Sequence, residues 1–146
     1  MKKAVLAVAT ASVVVLGACA SSGEPDVLIT RSIVDSRGEL SEVDDSDVVG
    51  AATARTGWGQ TGVSVAIAGA DNGSQHPWHI HSGTCGSGGP IIGDATRYPV
   101  LRVGSNGRAS ASASLNVELA AGQSYYVNVH ESPTDLGTIV ACGPLR

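Results

Sequence analysis

The stretch His76-Pro77-Trp78-His79-Ile80-His81 holds three of the four histidines of this 146-residue chain. Successive side chains of an extended segment point to opposite faces, so a β-strand here places His79 and His81 on one face. Two neutral imidazoles on a common face are suitable ligands for copper or zinc. A pair of surface or capping histidines would show the same spacing, so the spacing alone leaves both interpretations open.

The fourth histidine, His130, ends a second segment with strand character. The run Tyr125-Tyr126-Val127-Asn128-Val129-His130 is rich in aromatic and β-branched residues, which favour strands. Both segments that carry histidines are therefore predicted to be strands.

The surrounding sequence is typical of an all-β domain. Val63, Val65 and Ile67 alternate with small or polar residues, which indicates a half-buried strand. The turn around Asn106-Gly107 favours a tight hairpin. No segment after the N-terminal apolar run has a helical period, and short strand-like segments recur every 8–12 residues, roughly as in sandwiches and barrels. We expect a β-barrel or β-sandwich of about eight antiparallel strands.

Several local expectations follow from the same patterns. Val27 to Val34 is predicted to be a first strand, and the acidic stretch from Asp35 to Asp47 is predicted to be a loop with at most one short strand. Residues 56–62 are predicted to form a hairpin loop. Trp58 and Trp78 are both predicted to be packing residues.

The N-terminus has the layout of a secretory signal. A basic start is followed by an apolar run from Ala4 to Leu16 and then by small residues before Cys19. The apolar run is shorter than the roughly 20 residues that a membrane span needs. The ending resembles a bacterial lipoprotein signal, which implies removal of residues 1–18 and lipidation of Cys19. The alternative is an ordinary secretory signal with an unmodified Cys19.

This organisation divides the chain into three parts: a signal peptide over residues 1–18, the lipidated Cys and a flexible tether over residues 19–26, and one domain over residues 27–146. The expected location is the extracytoplasmic face of the bacterial cell membrane. The formal net charge is −4, and both lysines precede Cys19, so the exported chain has no general attraction for nucleic acid or anionic lipid. The membrane partner is therefore reached through the lipid.

Cys85 and Cys142 remain after Cys19 is assigned to the lipid. An even number of cysteines in an exported chain favours a disulfide. The alternative is that one or both thiols bind a metal ion, although neither lies in a Cys-x-x-Cys pair.

Taken together, the motifs resemble the copper/zinc superoxide dismutase family. His76-Pro77-Trp78-His79-Ile80-His81 is similar to the family's His-Gly-Phe-His-Val-His. The run from Val129-His130-Glu131 to Asp135-Leu136-Gly137 is similar to its Val-His-Glu and Asp-Leu-Gly motif. Ala141-Cys142-Gly143 is similar to its C-terminal Ala-Cys-Gly. The resemblance covers the chain from about Val48 to the C-terminus.

The resemblance implies a Greek-key β-barrel of eight antiparallel strands. It assigns His79, His81 and His130 as ligands of one copper ion, and it makes His76 a histidine that braces the ligand strand. It also implies a disulfide between Cys85 and Cys142.

The chain departs from the family pattern around zinc and around the anion path. No histidine lies between His81 and His130, so the bridging ligand and the zinc histidines are missing, and Asp94 is the only carboxylate in the shortened loop. Zinc is therefore not expected. Ile139 stands where the family has its superoxide-guiding Arg. Arg97 and Arg102 are candidate replacements, with an ordinary solvated charge as the alternative.

Three functional hypotheses remain open. The first is a copper-only superoxide dismutase, an oxidoreductase that intercepts superoxide outside the cytoplasm. The second is a copper-sequestering or copper-carrying lipoprotein without turnover. The third is a metal-free structural or interaction module, since the Tyr125–His130 segment also resembles the end of CHRD domains. The oligomeric state is not indicated by the sequence.

Overall fold

A computed structural model describes residues 33–146, which fold almost entirely into antiparallel β-strands. One 3₁₀ turn, Ala95–Arg97, lies within these residues. The strands are β1 (Val34–Glu42), β2 (Val49–Gly57), β3 (Gln60–Ala68), β4 (Gln75–His76), β5 (Trp78–Ser82), β6 (Leu101–Arg102), β7 (Arg108–Leu115), β8 (Tyr125–Ser132) and β9 (Asp135–Leu145).

Seven of the strands form one curled sheet that makes half a barrel, in the order β5-β8-β9-β1-β2-β3-β7. The short strands β4 and β6 pair separately. Pro77 alone separates β4 from β5, because proline has no N–H to give to a sheet ladder. When β4 and β5 are counted as one interrupted strand, residues 33–146 contain eight strands. The all-β prediction is confirmed.

The connections are long-range, as in Greek-key folds. The chain leaves β3 near one edge of the seven-stranded sheet and enters β5 at the opposite edge. It then returns to form β7 beside β3, and crosses again to form β8 beside β5. These crossings bring β5 and β8 together, and the two strands carry the three histidines of the candidate site described below.

The core lies on the concave side of the sheet and is built from aliphatic residues. Val63, Val65 and Ile67 of β3 are buried, and the residues between them are exposed or nearly so, which confirms the predicted alternation. Trp78 is the largest of the fully buried side chains, and its indole N–H donates a hydrogen bond to the Pro99 carbonyl at 2.7 Å. The absence of phenylalanine leaves this tryptophan as the main aromatic filler of the core.

Two local expectations were wrong, and the bounds of a third were too wide. The stretch predicted as a loop from Asp35 contains most of β1, whose residues Val34 to Leu40 pair with β2. The hairpin predicted over residues 56–62 is present, but its loop is only the two-residue turn at Trp58 and Gly59, both with positive φ. Trp58 is not a packing residue, since it lies at the tip of this turn and is 67% exposed.

The predicted signal peptide, the lipidation of Cys19 and the tether all lie outside the described residues, and so does most of the strand predicted from Val27. The domain predicted to start at residue 27 is described only from residue 33. Within the described range, no helix has the length and apolar character to span a bilayer.

Candidate metal centre

The histidines of β5 lie on the face of the sheet that points away from the core. Trp78 and Ile80 point inward and are fully buried, whereas His79 and His81 point outward and yet are only 8% exposed each. The neighbouring strand β8 has the same arrangement, with His130 on the outer side. The period of two therefore placed the imidazoles on one face, as the sequence predicted.

A glycine-rich loop covers this outer face. It begins after β5, and its Gly89 carbonyl accepts a hydrogen bond from His81 Nδ1 at 2.8 Å. The Gly89 N–H donates to the hydroxyl of Tyr126 at 3.2 Å, and Ser82 N–H donates to the Pro90 carbonyl at 3.1 Å. The loop thus folds back on the sheet and converts an outward face into a buried one.

The disulfide between Cys85 and Cys142 fastens this loop to the sheet. It joins the loop to β9 across a sequence separation of 57 residues. In the chain-entropy model, a crosslink over a loop of this length stabilises a fold by about 4 kcal/mol. The pairing that the resemblance implied is present, and neither sulfur is free to ligate a metal ion.

Three imidazole nitrogens converge under the loop. One ring nitrogen each of His79, His81 and His130 lies within 4.8 Å of the other two. The shortest approach is 3.1 Å, between His79 Nδ1 and His130 Nε2. The sequence assigned these same three residues to one site, and the structure brings them together.

Hydrogen bonds to carbonyl groups fix which nitrogens face the cluster. His130 Nδ1 lies 2.8 Å from the Leu136 carbonyl, and His81 Nδ1 lies 2.8 Å from the Gly89 carbonyl. A carbonyl only accepts, so each Nδ1 carries the proton and each Nε2 keeps its lone pair for the cluster. His79 Nδ1 then donates a hydrogen bond to His130 Nε2.

His81 Nε2 is the clearest sign that the cluster suits a metal ion. It is buried and has no hydrogen-bond partner among residues 33–146. A buried acceptor without a donor costs about 1–3 kcal/mol. A cation coordinated by this lone pair would offset that cost, so the donor set fits a bound metal.

Burial keeps the imidazoles in the form that ligates metals. It lowers the pKa of His79 to about 4, with a further contribution from the neighbouring His130 and His81. Burial also lowers the pKa of His130, although its hydrogen bond to the Leu136 carbonyl opposes this. Neutral imidazole is the ligating form, so protons compete weakly with a metal ion even in mild acid.

His76 lies outside the cluster and contacts the ligand strand through the main chain. Its Nδ1 donates to the His130 carbonyl at 3.0 Å, and its Nε2 lies 2.7 Å from the Ser74 hydroxyl oxygen. The His130 N–H donates in turn to the Pro77 carbonyl at 2.8 Å. These contacts hold His130 in place at a bulge of β8.

Several site residues were not predicted from the sequence. Tyr98 packs against both Trp78 and His79, with ring centroids 5.0 and 5.1 Å apart, and burial raises the pKa of its hydroxyl to about 12. Tyr126 stacks on His81 at 5.2 Å. Tyr126 and Asn128 share the outer face of β8 with His130, and that period of two was visible in the sequence. Tyr98 gave no such signal.

The two arginines considered as guides for an anion lie elsewhere. Arg102 is exposed on β6 and donates to the Gln75 side chain at 2.9 Å. Arg97 ends the 3₁₀ turn and is exposed. Asp94 caps that turn by accepting from the main-chain N–H and the hydroxyl of Thr96. None of the three contributes to the three-histidine cluster.

A cavity of about 430 Å³ opens beside the cluster. His81 and His130 line it, together with the disulfide, loop glycines and apolar side chains. No protein-family model matches the chain, and no curated protein matches it. Its function is therefore inferred from the residues and their geometry, which suit one metal ion held by three imidazoles. Imidazole is a good ligand for copper, zinc, iron and nickel.

Proposed function

We propose that this chain is an exported, lipid-anchored protein that binds one copper ion through His79, His81 and His130 in a domain related to copper/zinc superoxide dismutases. The observation that carries the proposal is the convergence of three buried imidazole nitrogens within 4.8 Å of one another. The all-β fold, the histidine motifs and the disulfide are compatible with that family.

Copper is favoured by the chemistry of the donors. The site offers three imidazole nitrogens and, among the described residues, no carboxylate or thiolate. The resemblance to the family implies the same three-histidine environment for reduced copper. When bound, copper supplies one-electron chemistry between its Cu(I) and Cu(II) states. The zinc ligands of the family have no counterpart in the sequence.

The residues of the chain itself prepare the site. The carbonyls of Gly89 and Leu136 hold the rings of His81 and His130 in one tautomer and orientation. His76 positions the main chain of His130 through its hydrogen bond to the carbonyl. Burial keeps His79 neutral, so binding of a cation near neutral pH requires only that its Nδ1 hydrogen moves to Nε2, with no net loss of a proton.

Metal analysis of the full chain tests this proposal. The chain is purified in detergent without a polyhistidine tag, loaded with copper and dialysed, and its copper and zinc are then counted by elemental analysis. We expect one copper per chain, no copper in the His79→Ala/His130→Ala variant, and a Cu(II) EPR spectrum with nitrogen couplings.

The matched control is Ser64→Ala/Ser112→Ala. These two residues also form a cross-strand pair on the outer face, where their hydroxyls lie 2.8 Å apart, but no loop covers them. Copper that survives the histidine substitutions, or a wild-type chain without stoichiometric copper, would overturn the proposal and leave a metal-free structural or interaction module.

Superoxide dismutation is the second candidate function. The observation that favours it is the cavity, which gives a small molecule access to His81 and His130. Against fast turnover stands Ile139, which lines the cavity where the family has its guiding Arg. The test is superoxide consumption by copper-loaded protein, measured by pulse radiolysis. A rate no higher than that of the same concentration of free copper excludes this activity.

The lipid anchor is tested separately. We propose that Cys19 carries the lipid and that the domain lies at the extracytoplasmic face of the cell membrane. The Cys19→Ala variant should move from the membrane fraction to the soluble fraction after cell lysis, whereas Cys85→Ala should stay with the membrane. Wild-type chain in the soluble fraction would contradict the anchor and would leave the copper proposal untouched.

A further inference from the structure

The cavity beside the histidine cluster has uncharged walls. Val43, Leu136 and Ile139 supply apolar surface, and the disulfide and loop glycines complete the lining. None of the lining residues is Lys, Arg, Asp or Glu. An anion that enters such a cavity loses its hydration and meets no charged side chain among the described residues, so only a bound metal ion would offset that loss.

One polar group in this cavity lacks a partner. Asn128 is 9% exposed and lines the cavity, and its Oδ1 is buried with no hydrogen-bond partner among the described residues. It lies two residues before His130 on β8, on the same outer face. Its unused acceptor therefore points to a donor that arrives from outside the chain.

We propose that this cavity binds a small uncharged molecule that donates a hydrogen bond to Asn128 Oδ1 and reaches the metal at the three histidines. The inference rests on the proposed copper site, since His81 and His130 form one wall of the cavity. The apolar walls receive the body of the ligand, and Asn128 selects for an N–H or O–H group. The ligand class is thus neutral donors, in contrast to small anions.

A pair of probe ligands isolates the hydrogen bond. Pyrazole is neutral at pH 7 and carries both a metal-ligating nitrogen and an N–H donor, whereas 1-methylpyrazole lacks the donor. Each probe, and azide as a small anion, is titrated into the copper-loaded full chain while the Cu(II) EPR and visible spectra are recorded. We expect pyrazole to bind about tenfold more tightly than 1-methylpyrazole, the factor for one hydrogen bond.

Substitution of Asn128 gives the second measurement. Asn128→Leu keeps the volume and removes the acceptor, so pyrazole should bind about tenfold more weakly while azide is unaffected. Asn116→Leu, on an exposed residue, is the matched control and should change neither. Equal affinities for the two pyrazoles in wild-type protein, or no effect of Asn128→Leu on pyrazole binding, would overturn the inference.

Failure of the copper site is distinguishable from failure of the cavity. The copper content of the protein is measured before any titration. If the chain holds no copper, NMR of the metal-free chain follows the side-chain amide of Asn128. A shift with pyrazole that 1-methylpyrazole does not cause supports the cavity by itself, and the absence of any shift overturns it.

Discussion

The outer face of strand β3 is exposed to solvent, whereas the outer face of strand β5 is buried, although both strands belong to the same curled sheet. On β3 the outward residues Ser64 and Ala66 are exposed to solvent, and the inward ones are buried. On β5 the outward residues His79 and His81 are buried as well, so both sides of the strand are covered. The backbone alternation is the same in the two strands, and only the loop that follows β5 differs.

The alternation along a strand therefore determines to which face of the sheet a side chain points, but it does not determine whether that side chain is buried. The outer side of β5 is buried because the loop after it is held down by the Cys85–Cys142 disulfide and by hydrogen bonds at Gly89. Among residues 33–146, no loop covers Ser64 on β3. The suitability of the histidine cluster for a metal ion therefore depends on an irregular segment that contributes no histidine itself.

The substitution that should lower stability the most is on the inner face of β5, the strand whose outer face lies under the glycine-rich loop. Trp78→Ala should lower the free energy of unfolding by about 4 kcal/mol, because it removes a fully buried indole and leaves a cavity. Val65→Ala, on β3, removes fewer buried atoms and should lower the free energy of unfolding by less. Urea unfolding followed by circular dichroism measures both changes. A smaller loss for Trp78→Ala than for Val65→Ala would contradict the view that β5 is packed on both of its faces.

The next prediction concerns the free energy of unfolding in acid, which should depend on the buried His79 of β5. His79 has a folded pKa of about 4, lowered by burial, against about 6.5 when unfolded. Above pH 6.5 the imidazole is neutral in both states and changes nothing. As the pH falls from 6.5 to 4, the unfolded chain binds the proton first, so the metal-free fold should lose roughly 3 kcal/mol.

Urea unfolding of the metal-free chain at pH 7, 5.5 and 4 checks this expectation. The His79→Gln variant has no imidazole to titrate at this position, so its stability should fall less over the same range. A wild-type stability that stays level between pH 6.5 and 4 would show that His79 titrates normally and is open to water, like the outer face of β3.

A matched pair of glycine substitutions addresses the cover itself. A Cβ on Gly89 would overlap the Ser82 carbonyl oxygen, whereas a Cβ on Gly62 of β3 would meet nothing within 4 Å. Gly89→Ala should therefore lower stability by about 2 kcal/mol and weaken copper binding, while Gly62→Ala should change stability by less than about 0.5 kcal/mol. Calorimetric unfolding and copper titration measure the pair. Equal behaviour of the two variants would mean that the loop does not press on the sheet.

The smallest predicted change in stability concerns the turn between β2 and β3. Trp58 has a φ of +60°, a left-handed conformation that non-glycine residues adopt at a cost, and it is mostly exposed. Trp58→Asn should raise stability by about 0.5–1 kcal/mol, since asparagine tolerates this conformation in a two-residue hairpin. A rise in melting temperature of a few degrees is the measurement. A fall would mean that the exposed indole packs in solution.

The sequence predicted the elements that depend on local pattern. The period of two in Val63, Val65 and Ile67 and in His79 and His81 required only neighbouring residues, and the structure has both. Strand β1 was missed because its acidic and small residues have weak strand propensity, and pairing with β2 overrides that propensity. Trp58 was misplaced because its size suggested burial, whereas the turn geometry decided its position.

The candidate site was only partly visible in the sequence. The three histidines were grouped through the family resemblance, but Tyr98 and Asn128 became part of the site through long-range register and loop folding. Pairing of β5 with β8 sets Asn128 opposite His79, and the sequence gives no direct record of that register. Local patterns therefore supplied the ligands, and tertiary structure supplied their surroundings.

The pairing of β5 with β8 also has a consequence for folding kinetics. His79 and His130 are 51 residues apart, and their nitrogens meet only when these two strands are in register. A slip by one residue would turn His130 toward the core and Val129 outward. Contacts of such long sequence separation form slowly. In a refolding experiment, metal uptake should therefore follow formation of the rest of the sheet. Its rate should report the rate at which β5 pairs with β8.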